Sequence, residues 1–173
     1  MNILFVRVSS IGDVIHTLPA LFYIKACIPD AHISWVVQKK AAALLKHQPF
    51  LKNVWVIHDR YLSPSNLSST FESIRDIRSH KWDAIIDFQG LAKTSTLIMM
   101  LRGKKFGFDR THAREFVSTW FTHHHTQPIY KNIIQKNLAL ASDVVSSLTH
   151  QLDCPSIESI RNTFMLSVPD RTK

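Results

Sequence analysis

Residues 1–21, MNILFVRVSSIGDVIHTLPAL, place a β-branched apolar run, a Ser-Ser-Ile-Gly turn and a carboxylate in direct succession. Ile3 to Val8 reads as a buried strand and Gly12 punctuates the turn. Val14, Ile15, Leu18 and Leu21 then recur at helical spacing, which predicts Asp13 in the first turn of a helix that continues until Pro29 bounds it. Strand, tight turn and helix form the opening unit of an open α/β sheet, where ligands bind beyond the carboxyl ends of the strands. Asp13 is therefore a candidate to hold or deprotonate a substrate hydroxyl. Ser10-Ile11-Gly12-Asp13 equally fits the capping box [ST]-x-x-[DE], in which Ser10 and Asp13 satisfy orphan amides at a helix start, a role worth about 1 kcal/mol. Pattern alone leaves both roles open.

Outward from this unit, strand and helix signals alternate. His32–Val37 (HISWVV), Asn53–Ile57 (NVWVI), Asp83–Asp87 (DAIID) and Lys105–Phe108 read as strands. Helical stretches are expected at Ala41–Lys46, around Phe71, Ile74, Ile77 and Arg78, from about Lys93 to Leu101, briefly at Arg114–Phe121, and at Asn132–Leu148. Tyr61–Asn66 is Ser- and Pro-rich and reads as a loop. Repeated β-then-α units predict a Rossmann-like, doubly wound parallel sheet. It is expected to occupy residues 1–150, with 151–173, opened by Cys154-Pro155-Ser156, as a linker.

The chain has 173 residues, 45% of them hydrophobic, enough for one domain with a substantial core. The N-terminus lacks the basic region, long apolar stretch and small-residue cleavage site of a signal peptide, so a cytoplasmic location is expected. A net charge of +8 implies an anionic partner: nucleic acid, a phosphorylated sugar lipid or an acidic membrane surface. The aromatics are not interleaved with basic residues into a stacking platform, which argues against nucleic acid. Cys27 and Cys154 lack metal-ligand or disulfide-framework spacing; Cys27 reads as a small core residue. Met99 and Met100 are likewise expected in the core. Three adjacent histidines, His123 to His125, cannot all point at one ion, so no metal site is expected there. Gly12, Gly90, Gly103 and Gly107 form neither a G-x-G-x-x-G nor a Walker A loop, so no self-contained nucleotide cofactor site is indicated.

Asp87-Phe88-Gln89-Gly90-Leu91-Ala92-Lys93-Thr94 repeats the strand end, glycine turn and helix start, and would face the same crevice as Asp13. Gly107-Phe108-Asp109-Arg110-Thr111-His112-Ala113-Arg114-Glu115 follows the next strand. Together with Ser9 to Leu21, these segments resemble the bacterial lipopolysaccharide heptosyltransferases, glycosyltransferase family 9. That resemblance implies one Rossmann-like half of a GT-B fold, the N-terminal, acceptor-binding half, because the Asp-Thr-Gly-type donor turn has no counterpart here. It implies inverting transfer of heptose from ADP-heptose to a Kdo hydroxyl of a Kdo–lipid A type acceptor at the cytoplasmic face of the inner membrane, without a metal. Asp13 takes the position of the catalytic base, and Ser9, Ser10, Gly12, Arg60, Gln89, Gly90, Lys93 and Arg114 those of acceptor-binding residues. A guanidinium at Arg114 suits carboxylate or phosphate because its planar fork donates two parallel hydrogen bonds. Two departures stand out: His58-Asp59-Arg60 replaces an Arg/Lys cluster, and Gln38 replaces an acid. The alternatives are a non-catalytic acceptor-binding remnant, or a basic Rossmann-like domain for another anion or nucleic acid.

Overall fold

The structure, a computed structural model, describes residues 1–58, 63, 67–149, 154–156 and 159. Six strands, β1 (Asn2–Val6), β2 (His32–Gln38), β3 (Leu51–Ile57), β4 (Ala84–Asp87), β5 (Lys104–Phe108) and β6 (His124–Thr126), form one sheet in the order β3-β2-β1-β4-β5-β6. Every neighbouring pair is parallel. The Rossmann-like doubly wound sheet expected from sequence is thus present, with the strand order reversing between β1 and β4.

Central parallel strands are covered on both faces and so are apolar at successive positions. In β1, Ile3 and Phe5 enter one core with α2 (Leu18–Cys27), α3 (Lys39–Leu45) and α6 (Ile133–Leu148). Leu4 and Val6 enter the other with α4 (Leu67–Ser79) and α5 (Ala92–Met99). Phe5 anchors the first core through tilted ring contacts with Trp35 at 5.1 Å and Phe88 at 4.9 Å, each worth about 0.5–1.5 kcal/mol beyond buried area.

The first helix is not continuous. It divides into α1 (Ile11–Ile15) and α2, because Pro19 has no N–H to carry the hydrogen-bond ladder across the junction. The break is satisfied locally: the Thr17 hydroxyl donates to the Asp13 carbonyl at 2.8 Å, and the buried Asn137 amide donates to His16 O and Thr17 Oγ1 at 3.0 and 3.1 Å. The stretch Arg114–Phe121 contains a 3₁₀ turn at Phe116–Trp120, leaving Arg114 in the preceding loop. Strand β6 was not foreseen, since His-His-Thr carries no strand signal; it pairs with β5, and His124 stacks on Phe106 at 4.6 Å. Met99 is a second correction: it is 51% exposed on α5, while Met100 packs against the core. Cys27 is buried as expected, and the fold brings Cys154 beside it; both thiols are free. Burial and the adjacent Cys154 push the Cys27 thiol up to about 12.

The loop reading at Tyr61–Asn66 lies outside the described residues apart from Ser63, as do Arg60 and most of 151–173. The last described helix ends at Leu148. No described helix is long and apolar enough to cross a membrane.

Candidate functional site

The switch point between β1 and β4 lies where their following loops, Arg7–Ser10 and Phe88–Leu91, leave the same edge of the sheet. A third loop, Asp109–Glu115, leaves that edge from β5. Backbone hydrogen bonds and buried side chains lock the three together. The Gln89 side chain is 2% exposed, and its carbonyl oxygen accepts the Val8 and Ser9 N–H groups at 3.1 and 3.3 Å. Glu115 N–H donates to the Gly90 carbonyl at 2.9 Å, while the Glu115 carboxylate accepts Ala92 N–H at 2.7 Å, capping α5. Gly90 has φ +63°, and a Cβ there would stand 3.2 Å from Arg114 N. Only glycine meets both the left-handed turn and the close approach of the third loop.

Asp13 sits in the first turn of α1, where the three loops converge. Its Oδ2 accepts Ser10 N–H at 3.1 Å, so the carboxylate does serve the helix start. It also forms ion pairs. Arg7 Nη2 stands 2.8 Å from Oδ1, and Arg114 Nη2 donates to Oδ1 and Oδ2 at 3.0 and 2.9 Å. Burial pushes the carboxyl upward, but Arg7, the Ser10 amide and Arg114 outweigh it and hold Asp13 below the usual carboxylate value.

Arg7 was missed in the sequence reading. Its side chain is 1% exposed, its Nη1 donates to the Phe88 carbonyl, and it faces Asp87 as well as Asp13. Burial lowers the Arg7 pKa, against the opposing pull of Asp13. A buried charge at the end of a doubly covered strand requires a counter-charge, so the lone arginine in ILFVRV was the available signal. Asp87, at the end of β4, is fully buried. Its Oδ1 accepts Gln89 and Gly90 N–H at 2.9 and 3.0 Å, while Oδ2 lacks a partner among the described residues. Burial pushes this carboxyl up to about 6, despite the two amides and Arg7.

Ser9, Ser10 and Gly12 line a cavity of about 380 Å³ with Val8, Ile11, Gln38, Lys40 and Ala41. Lys93 is exposed in the first turn of α5, outside the hydrogen-bonded cluster of described residues. Gln89 and Gly90 do not line the cavity and instead tie the loops together. Among the described residues, no cluster of three His, Cys, Asp or Glu side chains could hold a metal ion. A larger cavity of about 860 Å³ lies at the opposite edge of the sheet, where β2 and β3 begin, between Phe22, Ile33, Phe50 and Leu51; neither cavity is lined by Asp13, Arg7 or Arg114, and the smaller one adjoins their loops through Ser9, Ser10 and Gly12.

A Rossmann-like domain with a carboxylate paired to two arginines at its switch point has the architecture of one half of a GT-B glycosyltransferase. The family profile of glycosyltransferase family 9 (heptosyltransferase) matches residues 70–170. The chain belongs to that family. It is 33% identical over 127 residues to lipopolysaccharide heptosyltransferase 1 of Escherichia coli (strain K12), covering 70% of this chain and 40% of the relative. Against the Campylobacter coli protein of the same name it is 26% identical over 143 residues, covering 82% of this chain and 41% of the relative. The solved structure of E. coli heptosyltransferase WaaC with ADP superposes with a TM-score of 0.78 at 24% identity, over 98% of this chain and 55% of that one. The chain thus spans about 40% of the length of these curated relatives.

Proposed function

We propose that this chain is the N-terminal, acceptor-binding half of an inverting heptosyltransferase that moves heptose from ADP-heptose to a Kdo hydroxyl of the lipopolysaccharide inner core. The observation that carries the reading is Asp13: Gly12, one residue before it in α1, lines the cavity with Ser9, Ser10 and Lys40, and Asp13 itself is a carboxylate held ionised by two arginines at the switch point. A hydroxyl placed there donates its proton to Asp13 as its oxygen attacks the anomeric carbon of the donor, and ADP leaves with the bonding electron pair. A carboxylate held below its usual pKa is a weak base, so positioning of the hydroxyl supplies much of the rate. Arg114 supplies a cationic partner for an acidic sugar, and Lys40 lines the cavity where the rest of that sugar would lie. The domain comprises residues 1–150, and 151–173 leads toward a donor-binding half that completes the cleft. The net charge of +8 suits work at the anionic cytoplasmic face of the inner membrane.

Calorimetric titration of the chain tests this reading. A Kdo–lipid A type acceptor in detergent is expected to bind with an affinity that falls as salt rises, while ADP-heptose does not bind measurably. Micromolar ADP-heptose binding by this chain overturns the division into acceptor and donor halves. Failure of the acceptor to bind overturns the assignment of the cavity.

A further inference from the structure

An ionised carboxylate offers about four lone-pair sites for hydrogen bonds. At Asp13, Oδ1 meets Arg7 Nη2 and Arg114 Nη2, and Oδ2 meets Ser10 N–H and Arg114 Nη2. Three hydrogen bonds therefore reach the carboxylate, two of them from Arg114, and Arg7 lies against Oδ1 as an ion pair. A substrate hydroxyl competes at both oxygens with Arg114, and a free approach to the carboxylate requires a donor to withdraw. Ser10 contributes a backbone amide at the helix start, and Arg7 is 1% exposed and also tied to the Phe88 carbonyl. Arg114 is different: its side chain is 47% exposed. Its backbone is pinned, because Gly90 packs against Arg114 N and the next residue donates to the Gly90 carbonyl. The guanidinium can therefore swing about a fixed base.

We propose that Arg114 is a substrate-operated latch on Asp13: in the free chain it occupies the carboxylate, and an acceptor bearing a carboxylate or phosphate draws it away as it delivers the hydroxyl. This rests on the acceptor reading above and adds a regulation to that site. Two cations set the state of Asp13, Arg7 from the loop after β1 and Arg114 from the loop after β5, while Asp87 at the end of β4 acts on Arg7. Release of Arg114 removes one of the two cations, so Asp13 becomes a stronger base only when an acidic acceptor is in place. A neutral hydroxyl compound leaves the latch closed. Coupling of this kind selects acidic acceptors at the level of basicity as well as affinity.

The experiment is a pH titration of Asp13 followed by carbon NMR in the chain labelled at aspartate carboxyls, with its signal assigned by its loss in Asp13→Asn. The probes are free Kdo, inorganic phosphate and a neutral methyl glycoside. In the free chain Arg114→Gln is expected to raise the Asp13 midpoint, and Arg114→Lys, which keeps the charge, to leave it low. Saturating Kdo raises the midpoint in the parent chain, leaves it unmoved in Arg114→Gln, and binds that variant about tenfold more weakly. The neutral glycoside moves nothing. If phosphate alone raises the midpoint, the latch responds to the anion whatever its source; if only Kdo does, it responds to the sugar acid. An Arg114→Gln midpoint equal to that of the parent overturns the latch. Kdo binding without a change at Asp13 overturns the latch and leaves the acceptor reading standing, whereas absence of binding by both anions overturns the acceptor reading and the latch with it.

Discussion

Arg7→Met removes the buried guanidinium that joins the first two loops of the site, while leaving a side chain of comparable length. Three interactions disappear together: the hydrogen bond to the Phe88 carbonyl, the 2.8 Å pair with Asp13, and the attraction to Asp87. Taking one partner from a buried ion pair costs about 3–5 kcal/mol, and that is the loss expected near pH 7.5. The cost depends on pH through Asp87. Because its folded pKa is raised to about 6, its protonated form stabilises the fold at acidic pH, and that contribution is lost as pH rises through the folded value. Near pH 5 Asp87 is largely neutral in both proteins, and its attraction to Arg7 no longer counts. The difference should then shrink to the share of Phe88 and Asp13, about 1.5–3 kcal/mol for hydrogen bonds to a charged group. Urea unfolding at the two pH values, with slopes compared to confirm two-state behaviour, measures both differences. A cost below about 1 kcal/mol near pH 7.5, or one that does not change on acidification, refutes the buried-network reasoning.

Asp13→Asn keeps an acceptor for Ser10 N–H but deprives Arg7 of a counter-charge, so a loss of about 1–3 kcal/mol is expected at neutral pH. Since the Asp13 pKa is lowered in the fold, its stabilising effect is present above the ordinary carboxylate value and fades as pH falls through the folded one; the difference from parent should narrow only below about pH 4. In a fusion with the donor half of a relative, the same variant should lose about 10² to 10⁴ in turnover, and activity within a few-fold of parent would remove Asp13 from the chemistry. Gly12→Ala meets no atom within 4 Å and replaces a helical glycine, so thermal unfolding should show a gain of about 0.4–1 kcal/mol. The new methyl enters the cavity beside Ser9 and Ser10, and acceptor affinity measured by calorimetry should fall several-fold; an unchanged affinity would move the acceptor elsewhere.

The local code of this chain was legible wherever a pattern repeats with a fixed period. Ile3 to Val6 and Ala84 to Ile86 are apolar because both faces of a central parallel strand are covered, and that requirement is visible in one dimension. The Ser9–Asp13 and Asp87–Thr94 turns were legible for the same reason, since strand end, glycine and helix start follow each other directly. Pro19 carried the signal for the break between α1 and α2, but Asn137, which satisfies the freed groups, comes from a helix more than a hundred residues away. Strand β6 had no local signal, because His124 to Thr126 become a strand only by pairing with β5. The site divides along the same line. Asp13, Gly90 and Arg114 could be singled out in sequence, while the partnership of Arg7, Asp13 and Arg114 arises from three loops folded to one edge of the sheet. Ion pairing depends on separation in space and on burial, neither of which sequence spacing encodes; only the tertiary structure decided that a capping carboxylate is also held between two arginines.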